Sequence, residues 1–517
     1  MNRIKVNKER VLCGAAFLFF VLITTYKLTN APLWYDEAVE YWCSKVFVGG
    51  LPYAPDKYAN MYQKITATFQ PPLYNVLMYF WLKVSNSEWW FRFFGVVIGF
   101  IGMIGLYKTI RKVGNGYVAA LAVVFSACVY RLVYYWQECA EYCLMLGTLF
   151  WVVYFWFCLI DNPTRKNIIL FTISAVIPVY SQYGAVFPVI AMAMVALVYV
   201  ITTKDREKIL TIVISDAVAL FGAALPLYFF FLRKQLLNQQ GGEISIGAVS
   251  FSGGVFRDFF GHLYDIFKWS FFSYYNDVAT VILSVITLVM IIVTVVLSKN
   301  KTVKLFAFTN VVIWLLYYIS VKIGLYSYGK FGSRYNMFLI PVWIVLLFSV
   351  AIEFTSVLAR YVPAKFKIRT LCAGIGVAFI LFFSCFAWVS KLQANWNKED
   401  CRGAVKAWYE ADAENSNTIV YYGANPGFTY YVRQNSQYNE TTERNVRYMV
   451  WSRDEGEDTF REYVNSIYGN DWPNEIYVVA SHTKDDLDIF LSVITSMGYE
   501  REDIYSSNAY LIRLFRS

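Results

Sequence analysis

Residues 184–202 read GAVFPVIAMAMVALVYVIT, and not one of them is charged. Wound as an α-helix at 1.5 Å per residue, the run spans roughly 28 Å, close to the ~30 Å hydrocarbon core of a bilayer. Lys204, Arg206 and Lys208 follow at once. The same alternation recurs along the chain, with apolar runs at about 11–26, 91–110, 117–133, 143–161, 167–182, 184–202, 209–231, 277–297, 305–323, 336–355 and 371–390. Composition agrees. Of 517 residues 57% are hydrophobic and only 16% charged, against about 25% in a soluble domain. The pattern predicts a polytopic α-helical membrane protein of about eleven spans. It excludes a disulfide scaffold, a disordered chain and a nucleic-acid binder. The nine cysteines lie mostly inside apolar runs and read as small hydrophobes.

Charge divides the chain. From Lys391 onward about 13 Lys and Arg stand against about 20 Asp and Glu, so the tail carries about −7 and the part before it about +16. Residues 1–390 therefore read as a membrane domain with outer loops over 27–90 and 232–275, and residues 391–517 as a small soluble α/β domain. Within the latter, Thr418–Tyr422, Glu475–Ala480 and Asn508–Phe515 have strand composition. Asp485–Met497 has helical spacing and stops at Gly498.

The short basic loops set sidedness. Lys108/Arg111/Lys112, Arg165/Lys166, Lys204/Arg206/Lys208, Lys299/Lys301/Lys304 and Arg360/Lys365/Lys367/Arg369 all fall inside if the N-terminus is cytoplasmic and the C-terminal domain extracytoplasmic. Pro71–Leu82 must then not cross, and reads as a helix in or dipping into the outer interface. The first run follows basic Met1–Arg10, lacks a small-residue cleavage site and reads as an anchor. The expected location is a bacterial plasma (inner) membrane.

The outward side gathers the chemistry. Trp34-Tyr35-Asp36-Glu37 precedes Val39, Trp42, Cys43, Val46 and Phe47, whose spacing predicts an amphipathic helix lying on the membrane. Asp36 at its start suits a general base and equally an N-cap; Glu37 suits an orienting neighbour or a first-turn acid. Glu138 and Glu141 follow Tyr134-Tyr135-Trp136, and their i, i+3 spacing puts both on one helix face. Cys139 and Cys143 share that stretch, but with only His262 and His482 in the chain a His-based zinc site is not expected. In Tyr326–Tyr335, Arg334 suits a phosphate ligand or a snorkelling interfacial cation, with Lys330 in reserve. Arg92 admits the same two readings. Between Arg233 and Ser273, Gly241-Gly242, Gly247 and Gly253-Gly254 would let a long loop act as a lid.

Several of these motifs occur in a familiar order. The outer-loop Asp36-Glu37, then Gln70-Pro71-Pro72-Leu73-Tyr74, then Ser87-Glu88-Trp89 with Arg92, resemble the GT-C superfamily. The similarity is closest to its protein O-mannosyltransferase and aminoarabinose-transferase branch. Tyr134–Leu144, Tyr180-Ser181-Gln182-Tyr183-Gly184, and Arg334-Tyr335 with Pro341 resemble its later outer motifs, so the likeness runs over roughly Val11–Phe354. Two departures stand out: Ala140 where the branch often has Arg before x-Tyr, and Gln182 where a His is expected.

The resemblance implies transfer of a hexosyl or pentosyl group from a polyprenyl-phosphate sugar to a lipid, glycan or protein acceptor hydroxyl, with inversion. It implies Asp36 and Glu37 as catalytic, Glu138 and Glu141 as supporting carboxylates, and Arg334, Lys330 and Tyr335 at the donor phosphate. Tyr142, Gln182, Tyr183, Arg92 and His262 would complete the pocket. No cofactor is required; a divalent ion at Glu138 and Glu141 is one option. The residues make this sensible. An outward-facing site without a nucleotide fold would draw a lipid-linked donor from the membrane. A phosphate leaving group needs positive charge more than a proton. A lipid or glycan transporter (a flippase) and a non-catalytic membrane receptor are the competing readings; the scarcity of charge within the spans argues against transport.

Overall fold

The computed structural model describes residues 8–46, 51–54, 60–67, 70–239, 255–272, 277–326, 334–361, 374–376, 398–449, 457–469, 471–483 and 486–516. Through the membrane region the helices are α1 (Lys8–Thr25), α2 (Tyr35–Lys45), α3 (Met61–Ala67), α4 (Leu73–Trp81), α5 (Glu88–Val113), α6 (Gly116–Cys128), α7 (Tyr130–Gln137), α8 (Tyr142–Asp161), α9 (Arg165–Val179), α10 (Val186–Thr202), α11 (Arg206–Leu237), α12 (Val255–Phe267), α13 (Asp277–Leu297), α14 (Lys301–Lys322) and α15 (Leu339–Tyr361). The tail adds α16 (Cys401–Glu410), α17 (Asn425–Gln434), α18 (Glu457–Tyr468) and α19 (Asp486–Thr495). Contacts divide the chain into two units. One holds Met1–Tyr26, Ile65–Tyr74 and Phe93–Ala394; the other holds Lys27–Lys64, Asn75–Arg92 and Asn395–Ser517. This division differs from a cut at residue 390, because the first outer loop groups with the tail.

The first unit is helical. Among the described residues six helices are long and apolar enough to cross a membrane, or seven if the bent pair α6–α7 is one span. Helices α1, α9 and α13 occupy the expected runs at 11–26, 167–182 and 277–297; the run at 371–390 lies almost wholly outside the described residues. The run at 117–133 is not one straight helix. Val129 adopts extended backbone and the axis turns by 68°. Helix α4 has nine residues, roughly 14 Å, which cannot cross ~30 Å of hydrocarbon. Within the expected outer loop at 232–275 the described residues are helical, since α11 runs on to Leu237 and α12 fills 255–267. The lid glycines, Gly241 to Gly254, lie outside the described residues.

The described basic loops, those before α6, α9, α11 and α14, share one end of this unit. Side chains of Asn115, Thr164, Asp205 and Asn300 cap α6, α9, α11 and α14 there, each accepting a backbone N–H of the first turn. Arg111 pairs with Glu9 (3.2 Å) and Lys112 with Asp161 (2.9 Å). Asp161 accepts the Thr302 hydroxyl, Lys301 reaches the Tyr199 hydroxyl (2.6 Å), and Asn300 donates to Glu353 (2.9 Å). These contacts join parts of α1, α5, α8, α10, α14 and α15 that are far apart in sequence into one polar layer.

The second unit is α/β. Its sheet runs β2 (Val446–Tyr448), β1 (Asn417–Val420), β3 (Glu475–Ser481), β5 (Ala509–Phe515), β4 (Glu500–Ser506). The first three strands are parallel and the last two join antiparallel. Central β3 is buried along most of its length, as a strand covered on both faces must be. Phe460, Phe490 and Ile494 cover one face, and Trp408, Phe428 and Val432 the other.

Helix α2 packs inside this unit. Its apolar face is covered by α17 of the same unit: Trp42 Nε1 donates to Pro426 O (3.0 Å), and Tyr41 meets Tyr430 edge-on at 4.7 Å. The periodicity of α2 was set by protein packing, so the expectation of a helix resting on lipid is corrected.

Candidate active site

The membrane unit brings four of these motifs together. Helix α7 ends at Gln137, Glu138 turns to extended backbone, and Glu141 becomes the N-cap residue of α8. The two acids therefore sit on either side of a four-residue turn and not on one helix face, which corrects the i, i+3 reading. Both are buried. Tyr134 donates to Glu138 (3.5 Å), and the rings of Tyr135 and Tyr142 pack at 5.0 Å across the turn. Arg334 lies within electrostatic reach of both phenols.

Tyr326 joins the next motif to this cluster. It accepts from Gln182 Nε2 (3.4 Å) and donates to the Tyr335 carbonyl (3.2 Å), and the Glu141 charge acts on it. Burial holds its phenol well above the ordinary value, so it stays a neutral donor. Gln182 Oε1 accepts the Gly184 N–H (2.5 Å). A Cβ on Gly184 would fall 2.5 Å from the Tyr326 hydroxyl, so only glycine permits this approach. On the other side Tyr183 donates to Gln235 Oε1 (2.6 Å), and Gln235 Nε2 donates to the carbonyls of Ile65 (3.0 Å) and Gln70 (2.7 Å). The Gln70–Tyr74 motif is pinned further by Leu73 N–H on Tyr180 O (3.1 Å).

Two residues that the sequence did not single out belong here. Gln235 is 1% exposed and links two motifs. Arg131 lies over Trp269 at 4.4 Å, and its charge acts on Tyr135 beside that of Arg334. Its signal was a lone cation one turn before the aromatic run Tyr134-Tyr135-Trp136. His262 packs near Tyr318 (6.4 Å) on the α12–α14 face. Lys330 lies outside the described residues. Among the described residues no group of three or more His, Cys, Asp or Glu could hold a metal ion. An ion at Glu138 and Glu141 would take its remaining ligands from water or phosphate.

The second unit holds the first-loop acids. Helix α2 has Trp34 as its N-cap residue, with no side-chain cap, so Asp36 is not the cap. Asp36 is half-buried in the first turn. Glu37 is fully buried and clamped: Arg92 meets it with two bonds (2.9 and 2.7 Å) and Lys398 with a third (3.2 Å). Arg92 spends its other donors on the carbonyls of Leu28 (2.9 Å), Ala31 (2.7 Å) and Pro32 (3.0 Å). All five guanidinium N–H groups are thus engaged. Arg92 is neither a snorkelling cation nor a phosphate ligand, and Glu37 ties the loop together.

The fold is that of a polytopic α-helical membrane protein with a small α/β domain. A family model described as dolichyl-phosphate-mannose-protein mannosyltransferase matches residues 69–231. The solved structure of ArnT from Cupriavidus metallidurans bound to undecaprenyl phosphate is similar with a TM-score of 0.52 at 11% identity, covering 98% of this chain and 97% of that one. Its apo state gives 0.53 at 13% identity with the same coverage. The oligosaccharyltransferase AglB from Archaeoglobus fulgidus, solved with an inhibitory peptide and a dolichol-phosphate, gives 0.48 at 10% identity, covering 97% of this chain and 73% of that one. No curated protein matches the chain in sequence. The chain thus shares the fold of ArnT, and its residues 69–231 match the mannosyltransferase family model.

Proposed function

We propose that the chain transfers a hexosyl or pentosyl group from a polyprenyl-phosphate donor to an acceptor hydroxyl on the outer face of the membrane, with inversion. The observation that carries this reading is the cluster of Arg334, Tyr335, Tyr326, Gln182 and Glu141 in the membrane unit. ArnT, of the same fold, has been solved with undecaprenyl phosphate bound. In the proposed step Asp36 takes the proton of the acceptor hydroxyl. The oxygen attacks the anomeric carbon, and the carbon–oxygen bond to phosphate breaks. The electron pair leaves on the phosphate, where Arg334 steadies the charge. Mass spectrometry of envelope glycans from cells with and without the protein tests the activity; identical profiles would sink it.

Arg334 faces a charge that the donor already carries in the ground state. Arg334→Ala is therefore expected to weaken donor binding as well as turnover. Titration of the purified protein in nanodiscs with a polyprenyl-phosphate sugar checks this, and unchanged donor affinity would reject the assignment.

The C-terminal domain is proposed to bind the acceptor. Support comes from a cavity of about 580 Å³ between α16 and the end of α17, bordered by Tyr409, Tyr431, Gln434, Asn435, Ser436 and Gln437. Its cations are already matched, Arg402 by Glu88 (2.6 Å) and Lys406 by Glu410 (3.4 Å). Two phenols and three amides without spare charge suit the hydroxyls of a neutral saccharide. Replacing Gln434 and Gln437 by Ala is expected to raise the acceptor KM by about 3–10-fold per lost hydrogen bond, with kcat and donor affinity unchanged. An unaltered KM would place the acceptor elsewhere.

A further inference from the structure

We infer that His482 and Glu399, from the C-terminal domain, are positioning residues for Asp36; this rests on the reading of Asp36 as the base. Helix α2 opens without a side-chain cap of its own. The first N–H of the helix, that of Tyr35, is one of the donors that every helix start leaves unsatisfied. It is taken by Glu399 Oε2 at 2.8 Å, from 364 positions along the chain. The other oxygen, Oε1, is held by His482 Nδ1 at 2.5 Å. The His482 ring then stacks on the Tyr35 ring at 4.5 Å and 7°. Tyr35 is thus gripped through its backbone and its side chain at once, and Asp36 is the next residue.

The grip is held under backbone strain. His482 has φ +52°, in the left-handed region that few residues other than glycine adopt. Such conformations persist only where the surroundings enforce them, and they cluster at functional sites. Here Ser481 Oγ donates to Gly423 O at 3.3 Å. A Cβ on Gly423 would come within 2.4 Å of Ser481 O and 3.0 Å of His482 Cβ. Glycine at 423 lets the turn approach, and the turn presents His482 to Glu399. The neighbouring Lys398 adds to the same segment, pairing with Glu37 at 3.2 Å and lying over the Trp34 ring at 5.4 Å. Residues 398 and 399 thereby fix Trp34, Tyr35 and Glu37, on either side of Asp36, around the start of α2.

A carboxylate misplaced by about 1 Å can lose about 10²-fold in rate. His482→Ala in the full-length protein is expected to lower kcat by about 10–100-fold on that ground, with both KM values and the melting transition near those of the parent. His482→Asn keeps a donor for Glu399 and tolerates positive φ, so it is expected to recover part of the loss. In an Asp36→Asn background, adding His482→Ala should cost nothing further, because the two act through one group. A parental kcat in His482→Ala, a loss matched by a lowered melting transition that Asn does not relieve, or additive losses in the double variant would each overturn the positioning role while leaving Asp36 as the base. A parental kcat in Asp36→Asn alone would instead remove the base assignment, and this inference with it.

Discussion

Replacing Asp36 by Asn is expected to cut turnover by about 10²–10⁴ and to leave the melting transition where it is. The amide keeps the shape of the side chain and removes only its ability to take a proton. Asp36 is half-buried in the first turn of α2, where a carboxylate is favoured by the helix dipole; losing that charge at a partly exposed position costs about 0.3–1 kcal/mol. Donor affinity should stay near the parental value, since the proton leaves the acceptor and not the donor. Turnover assays beside thermal unfolding of the same preparation check both halves. Near-normal kcat would reject the assignment.

The adjacent acid should behave in the opposite way. Glu37 is 0% exposed, and its partners Arg92 and Lys398 are 3% and 11% exposed. Removing one member of a buried ion pair leaves the other charge without its counter-charge and typically costs about 3–5 kcal/mol. Glu37→Ala strands the Arg92 guanidinium among three carbonyls and frees the Lys398 ammonium from its nearest acid. A clearly lowered melting transition and low yield are the expected results. Arg92→Ala should be at least as harmful, because the carbonyls of Leu28, Ala31 and Pro32 lose their donors too. If both variants melt like the parent, the clamp contributes little and Glu37 becomes available for chemistry. Two neighbouring acids, one expected to move rate and the other stability, make a sharper test than either alone.

Much of the architecture was legible because its signals are local. A span needs only a long uncharged run, and the strands at Thr418, Glu475 and Asn508 announced themselves by β-branched and aromatic composition between turn residues. What stayed hidden depends on partners far along the chain. The spacing of Trp42 and Cys43 says that one face of α2 is covered, but not that α17, nearly 400 positions later, covers it. Arg92 looks like any interfacial cation until Glu37 and three carbonyls surround it. Glu138 and Glu141 share a face only if the helix continues, and the extended backbone at Glu138 ends it. Gln235 carried no signal at all, since a glutamine's worth depends on which carbonyls it meets. The ordered motifs that contain Arg334, Tyr335, Gln182 and Glu141 also lie within one unit of the fold.

The second unit is assembled from segments that leave the ribosome at very different times. Lys27–Lys64 and Asn75–Arg92 are made early, whereas Asn395–Ser517 comes last. About 300 residues separate Arg92 from Lys398, which at about 5–20 residues per second is about 15–60 s of synthesis. Throughout that interval Glu37 and Arg92 have each other but not Lys398, and α2 has an apolar face with no α17 to cover it. Completion of the unit therefore reports that every intervening segment has been translated. A chain cut short before residue 398 would retain its membrane helices and still display an unfinished surface, which is the kind of signal that quality-control proteases read.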